Sequence, residues 1–285
     1  MLNTYLTSLQ AVGKSPVTIK NYRSQLVKFT AWLEDQTGSA DLTDIVQADV
    51  VAYRDYLQHD RGLKAGSVNT ALATIEAFCV WLVENGHLSE NPLDKVKKLD
   101  QVRSAPKWLD KNEKHRVIRA AQKENKRNES IILTLLFSGL RVSELANLTL
   151  EDVLIRDRSG SITVRSGKGN KTRVVAIPEQ LREVLGEYIV EHRSMSKWLF
   201  GSQRGERLTD KGVQHLCADI GRKAKIDRLT PHRLRHTFLH DLVSKGVSLD
   251  RVALLAGHSK LETTMIYTQP GQAELQADVE KLNIR

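Results

Sequence analysis

The chain has 285 residues, which is long enough for two domains of moderate size, and its 40% hydrophobic and 27% charged residues are ordinary for a soluble globular protein. No apolar run approaches the roughly 18 residues of a membrane span, and the first residues lack the basic and apolar regions of a secretory signal, so we expect a cytoplasmic protein that uses no membrane. The net charge of +9 arises after residue 100, where 33 Lys and Arg outnumber 22 Asp and Glu, and this excess favours a polyanionic partner such as nucleic acid.

Residues 1–92 are predicted to form a helical domain, because apolar residues recur there at spacings of three and four. Ser15-Pro16 is a typical start for one helix, and Gly86 is a typical end for another. We interpret the apolar and aromatic residues of these helices as core. Basic residues on the polar faces are candidates for contacts with DNA, although each alone could be only a solvated charge: Lys14, Lys20, Arg23 and Lys64.

Residues 93–108 are predicted to be a linker between two domains. The segment is polar and basic, and it follows Asn91-Pro92, which breaks the helical pattern. Lys97, Lys98 and Arg103 could lie along a phosphate backbone, so they join the candidates for DNA contacts.

Residues 109–285 are predicted to form a second domain. Helical patterns occupy its beginning and its end, while strand signals at 161–164 and 173–177 are joined through a glycine-containing turn at 167–170. The whole chain is therefore predicted to be mostly α-helical with a small β-sheet.

Two basic residues of the second domain follow glycines. Arg141 follows Gly139 at the entry to a helix, where its simplest role is an ion pair with Glu144, three residues further on. Lys168 lies in the turn GKGNKT, which lacks the full spacing of a nucleotide-binding phosphate loop and lies between strands, so no ATP site is expected. A lysine at such a turn could instead donate a proton to a substrate.

A later helix is predicted to begin at Thr230-Pro231 and to carry His232 and Arg235 on one face. Three histidines also repeat every four residues along it: His232, His236 and His240. No acidic ligand accompanies them, and the arginines at 233 and 235 would repel a cation, so we expect an anion site and no metal or other cofactor.

The last helical segments carry a histidine and a tyrosine. Gly257 can end one helix, and Ser259 with Glu262 can form a capping box for the next. This arrangement places His258 in the joint between the helices and Tyr267 two to three turns later. A lone tyrosine in this setting is more typical of core or surface packing than of chemistry.

In combination, these residues suit the transfer of a phosphodiester. Two arginines can bind the non-bridging oxygens with fixed geometry, and histidines can supply hydrogen-bond donors or a general base. A tyrosine hydroxyl, with an ordinary pKa of about 10, becomes a nucleophile when cations stabilise its phenolate. The resulting phosphate ester retains the bond energy, so rejoining needs no ATP.

Six of these residues match a known signature, namely Arg141, Lys168, His232, Arg235, His258 and Tyr267. Their order, and the spacing of nine from His258 to Tyr267, resemble the tyrosine recombinase (phage integrase) family. The segments SGLRVSEL, GKGNKTR, TPHRLRHT and LAGHSKLETTMIYT resemble the family as well, and the N-terminal stretch resembles its SAM-like core-binding domain. The chain looks closer to compact Xer-like recombinases and transposon-encoded resolvases than to large phage integrases.

The resemblance implies a role for each matching residue. Tyr267 would form a 3′-phosphotyrosyl intermediate, and Arg141 and Arg235 would clamp the scissile phosphate. His232 and His258 would assist proton transfer, and Lys168 would be the general acid. Glu144 matches an accessory position that would orient Arg141, whereas His236 is interpreted as structural.

The resemblance also implies partners and an assembly. A SAM-like domain (residues 1–92) and an α+β catalytic domain (residues 109–285) would clamp double-stranded DNA, and four protomers would form the synapse. The tail from about residue 272 would dock onto a neighbouring protomer, and accessory proteins or DNA sites would give direction. Two alternatives remain: a type IB topoisomerase-like relaxase, which strand exchange between two sites would distinguish, and a non-catalytic DNA-binding accessory factor, against which Tyr267 and both arginines argue.

Overall fold

The computed structural model describes residues 1–39, 41–101, 107–165, 172–192, 196–202, 206–258 and 262–268, without the side chain of residue 192. The chain divides into two units, Met1–Arg103 and Ser104–Arg285. Most of the described residues are helical and the second unit contains one small sheet, so the predicted fold class is confirmed.

The described residues of the first unit form a bundle of four helices. Its helices are α1 (Leu2–Ala11), α2 (Pro16–Thr37), α3 (Gln47–Asp55), which continues into a π-helical turn (Tyr56–Asp60), and α4 (Ala65–Glu84). Ser15 begins α2 as predicted, because its hydroxyl accepts a hydrogen bond from the Thr18 amide at 3.1 Å. Phe29, Tyr53 and Phe78 are fully buried or nearly so and pack within one apolar cluster.

Helix α4 is long and apolar enough to cross a membrane by length and composition, with a mean hydropathy of 1.4 over its most apolar window. A core helix of a soluble domain passes the same test. Val68, Leu72, Ile75 and Phe78 of α4 are buried in the core of the first unit, which accounts for its composition.

The segment after α4 packs onto the first unit as far as residue 101. The Asn69 side chain donates to the Leu99 carbonyl at 2.8 Å and accepts from the Leu99 amide at 2.9 Å, while Leu93 is buried. Lys98 forms an ion pair with Glu76 at 3.2 Å. The first half of the predicted linker is therefore fixed to α4 by paired hydrogen bonds, which its polar composition did not indicate.

The second unit combines helices with a three-stranded antiparallel sheet in the order β1-β2-β3. Its elements are α5 (Lys111–Gln122), α6 (Lys126–Ser138), α7 (Val142–Ala146), β1 (Val153–Ile155), β2 (Gly160–Arg165), β3 (Thr172–Ala176), α8 (Glu179–His192), α9 (Asp210–Lys223), α10 (Pro231–Ser244), α11 (Leu249–Ala256) and α12 (Glu262–Met265). Strand β1 was not predicted, because three residues are too short to show the alternation that marks a half-buried strand.

Helix α6 is the centre of the second unit. All but one of its residues from Glu129 to Ser138 are buried, and it packs against α5, α8 and α10. A helix that is buried on every side has little freedom to move, so the residues immediately after it are held in place by the core.

Candidate catalytic site

Arg141 is positioned by the rigid end of α6. Gly139 ends this helix with φ of +62°, a conformation that favours glycine, and an added Cβ would collide with the Phe238 ring of α10. Arg141 then begins α7, where its amide donates to Glu144 Oε2 at 2.8 Å. Its guanidinium donates to Glu144 Oε1 at 2.8 Å and to the Gly257 carbonyl at 3.0 Å, yet the side chain is still 42% exposed.

The close approach of Gly139 to Phe238 leads to a stability prediction. Gly139→Ala should lower the free energy of unfolding by about 2–5 kcal/mol, since a left-handed non-glycine residue costs about 1–2 kcal/mol and overpacking adds about 1–3 kcal/mol. Gly246→Ala is the matched control, because Gly246 has φ of +80° but nothing near its missing Cβ. Denaturant unfolding measures both variants, and equal losses would show that Phe238 does not restrict this turn.

Glu144 joins two arginines that lie far apart in sequence. Arg173 of β3 donates from both terminal nitrogens to the two carboxylate oxygens at 2.8 Å each, and its Nε donates to the Leu255 carbonyl at 3.0 Å. Burial alone would raise the pKa of Glu144, but the hydrogen bonds from Arg173 and Arg141 outweigh it and lower this pKa to about 2. The carboxylate is therefore ionised and ties β3, α7 and the end of α11 together.

Arg235 of α10 is buried, with 3% of its surface exposed. It donates to the carbonyls of Gly139 and, at 2.7 Å, Ala256, and its Nη2 lies 3.1 Å from His258 Nε2. Burial and the nearby charge of Arg141 lower the pKa of Arg235 to about 10, so it remains a cation at neutral pH. No carboxylate of the described chain forms an ion pair with it, so this buried cation would be stabilised by an anionic ligand.

The three histidines around Arg235 are held in the neutral form. Burial, followed by the charge of Arg235, lowers the pKa of His258 to about 4, and burial lowers that of His236 to about 4. The pKa of His232 is also lowered by burial and by Arg235. His258 Nδ1 lies 2.9 Å from the Thr264 hydroxyl, and since Nε2 accepts from Arg235, Nδ1 carries the proton and donates.

Tyr267 lies just after α12 and belongs to the same site. Its side chain is 4% exposed and packs with Leu239, Val252 and Ala256, while its hydroxyl lies 2.6 Å from His236 Nδ1. Burial raises the pKa of Tyr267 to about 12 against the opposing charge of Arg235. The phenol is therefore protonated at neutral pH. It lies beside the arginine and histidine cluster of its own chain.

The structure brings together five of the six predicted catalytic residues and Glu144. His232 and Arg235 lie on α10, Arg141 and His258 lie in connections between helices, and Tyr267 follows α12. Lys168 lies outside the described residues, as do Arg103 and the tail from residue 272. The strands on either side of Lys168 are described up to Arg165 and from Thr172, and they end in a register that pairs these two residues.

Two further residues of the site were missed by the sequence analysis. The sequence predicts Arg173 only as part of a strand, whereas in the structure its side chain is 10% exposed and is paired with Glu144. His236 was interpreted as structural, yet it is the residue that contacts the Tyr267 hydroxyl. The sequence signal for it is the spacing of four residues from His232, which places both histidines on one face of the helix. In the structure the two rings lie 4.2 Å apart at their centroids.

Among the described residues, no group of three or more His, Cys, Asp or Glu side chains converges as a metal site would require. His240, the third histidine of the repeat, stacks on Trp108 with ring centroids 3.9 Å apart.

The candidate DNA contacts of the first unit fall into two groups. Lys14, Lys20 and Arg23 line a groove of about 380 Å³ between the end of α1 and the start of α2. Lys64 and Lys97 are exposed, and Lys98 is paired with Glu76. The groove concentrates positive charge on one side of the first unit, which suits a phosphate backbone.

Comparison with known proteins covers nearly the whole chain. The model of the phage integrase family matches residues 107–274, and the model of the phage integrase N-terminal SAM-like domain matches residues 2–86. The tyrosine recombinase XerA of Pyrococcus furiosus is 33% identical over 289 residues, covering 100% of this chain and 94% of that protein. The TnP I resolvase of Bacillus thuringiensis is 28% identical over 284 residues, covering 96% of each.

A solved structure shares the fold. The XerH site-specific recombinase bound to a palindromic difH substrate, in a post-cleavage complex, superposes with a TM-score of 0.78 and 22% identity, covering 93% of this chain and 79% of that one.

Proposed function

The chain belongs to the phage integrase family of tyrosine recombinases, and from this membership we propose that it cleaves and rejoins duplex DNA at a specific site through a 3′-phosphotyrosyl bond to Tyr267. The observation that supports this most is that the Tyr267 hydroxyl contacts His236 and is influenced by the charge of the adjacent Arg235, a buried arginine with no carboxylate partner among the described residues. A scissile phosphate would supply the missing counter-charge at Arg235.

The arrangement indicates how charge would be stabilised during cleavage. Arg235 and the half-exposed Arg141 would donate to the non-bridging oxygens, where negative charge grows in the transition state. The Arg141 guanidinium is held by Glu144 and by the Gly257 carbonyl, so this side chain needs little reorganisation when DNA binds. A second DNA end would then displace Tyr267 and reverse the step, without ATP or metal.

A nicked suicide substrate tests the proposed chemistry. It would carry a site selected from randomised duplexes and release a short fragment on cleavage, so that the adduct accumulates. In EDTA, the wild-type chain should form a protease-sensitive covalent adduct, and Tyr267→Phe should bind the site with unchanged affinity but form none. Cleavage by the phenylalanine variant, or cleavage that requires a divalent metal, would contradict the proposal.

Lys168 is proposed as the acid that protonates the leaving 5′ oxygen. Lys168→Ala should slow single-turnover cleavage by about 100-fold or more, the usual contribution of a general acid, while sparing DNA affinity. A bridging 5′-phosphorothiolate leaves without protonation, so the variant should cleave this substrate at nearly the wild-type rate. If the modified substrate does not restore cleavage, Lys168 has another role.

The assembly follows from the same proposal. We propose that a DNA-binding domain (residues 1–92) uses the groove of Lys14, Lys20 and Arg23, and that a linker (residues 93–108) connects it to a catalytic domain (residues 109–285).

The XerH structure contains difH substrate, and the TnP I relative is a resolvase. On this basis the protein would act in the cytoplasm as a homo-tetramer on double-stranded DNA, in integration, excision or resolution for a mobile element, with the tail docked onto a neighbour.

A further inference from the structure

The Tyr267 hydroxyl has a specific partner that the six-residue signature does not include. Its oxygen lies 2.6 Å from Nδ1 of His236, and the two ring centroids are 5.4 Å apart. His236 immediately follows Arg235 on α10, so the helix that would bind the phosphate also holds the group that contacts the nucleophile.

We propose that His236 holds the Tyr267 hydroxyl and accepts its proton as the oxygen attacks phosphorus. This role rests on the proposed function, since it concerns the step that would join Tyr267 to DNA. His236 is thus assigned as a catalytic residue, because it touches a reacting atom.

The direction of the hydrogen bond follows from the surroundings of His236. Burial, followed by the effects of His232, Arg235 and His258, lowers its pKa to about 4. Burial also keeps the proton on Tyr267. At neutral pH the phenol therefore donates and Nδ1 accepts, which leaves the imidazole proton on Nε2.

The other two histidines are less suited to this step. Both nitrogens of His258 are engaged, Nε2 with Arg235 and Nδ1 with Thr264, so neither can take the phenol proton without breaking a hydrogen bond. His232 meets His236 edge to face, and no hydrogen bond from Tyr267 reaches it among the described residues. His258 and His232 then remain available to stabilise the phosphate.

The proton moves during the attack and not before it. A donor pKa of about 12 and an acceptor pKa of about 4 keep the proton on oxygen in the resting site. As the oxygen gives an electron pair to phosphorus, its O–H bond becomes strongly acidic and the proton passes to Nδ1. The bond from phosphorus to the 5′ oxygen breaks at the same time, and that oxygen takes a proton from the general acid. Rejoining returns both protons.

The test compares histidine variants with nucleophiles of different acidity. His236→Ala should reduce the single-turnover cleavage rate by about 100-fold or more at unchanged DNA affinity, which is the usual scale of general base catalysis. His236→Asn keeps an acceptor near the Nδ1 position but cannot take up a proton, so it should be similarly slow. This second variant also guards against a folding defect of the alanine variant. His115→Ala, which changes an exposed histidine of α5, is the control and should cleave at the wild-type rate.

Difluorotyrosine at position 267 distinguishes two roles of His236, namely accepting the phenol proton or only contacting the ring. Its phenol is more acidic and needs less help from a base. The loss of cleavage rate caused by His236→Ala should therefore be at least tenfold smaller with difluorotyrosine than with tyrosine. A deficit that is equal for both nucleophiles, or a rate for His236→Ala within threefold of wild type, would overturn the role of His236. Failure of the wild-type chain to form any adduct at Tyr267 would instead overturn the proposed function.

Discussion

Arg235→Lys is expected to reduce the single-turnover cleavage rate by about 10²- to 10³-fold, the usual effect of removing one preorganised donor from a charged transition state. The guanidinium of Arg235 reaches Gly139, Ala256 and His258 at once through its planar fork. An ammonium group cannot reproduce this geometry, so lysine would hold the positive charge but misplace it. The measurement is the rate of adduct formation on the suicide substrate at saturating protein.

Arg233→Lys is the matched control for Arg235→Lys. Arg233 lies two residues earlier on the same helix, where it pairs with Glu113 at 2.9 Å and donates to the Asp227 carbonyl at 2.7 Å. This substitution should leave the cleavage rate within about threefold of wild type. Equal losses in both variants would show that the helix as a whole, and not the guanidinium at 235, limits the reaction.

Glu144→Gln is expected to lower the free energy of unfolding by about 3 kcal/mol, because it leaves Arg173 and Arg141 without their carboxylate in a largely buried position. At acid pH, the free energy of unfolding of the variant should also depend less on pH than that of the wild type. The pKa of Glu144 is about 2 in the folded protein, against an ordinary value of 4.5. Its contribution is therefore fully present above about pH 4.5 and is lost as the pH falls towards 2.

Glu187→Gln provides the comparison for this effect. Glu187 pairs with Lys126 at 2.5 Å, but its side chain is 58% exposed, and such surface pairs are worth about 0–1 kcal/mol. Denaturant unfolding at several pH values measures both variants. The contrary result is that Glu144→Gln lowers the free energy of unfolding no more than Glu187→Gln does and keeps the wild-type pH dependence at acid pH. That result would show that Glu144 is not the link between β3 and α7.

Much of the local structure was predictable because it depends on neighbouring residues. Thr230 begins α10 as expected, with its hydroxyl accepting from the Arg233 amide at 3.0 Å. The expected pair of Arg141 with Glu144 also forms. Arg173 joins the same carboxylate from 29 residues away, and His236 reaches Tyr267 across 31 residues. No local pattern contains these contacts, since they arise only when β3, α10 and the segment after α12 pack together.

The electrostatics of the site were also beyond sequence reasoning. Histidines were expected as donors or as a general base, but their neutral state depends on burial and on the closeness of Arg235, which only the fold determines. The same burial makes Tyr267 a weaker acid than a free phenol. A base at this hydroxyl is therefore more important than the sequence indicated.

The most direct measurement is mass spectrometry of the trapped adduct after digestion with trypsin and a nuclease. We predict a single modified peptide, with Tyr267 carrying a nucleotide through its 3′ phosphate, from reactions run in EDTA. Attachment to any other residue, or through a 5′ phosphate, would contradict the mechanism.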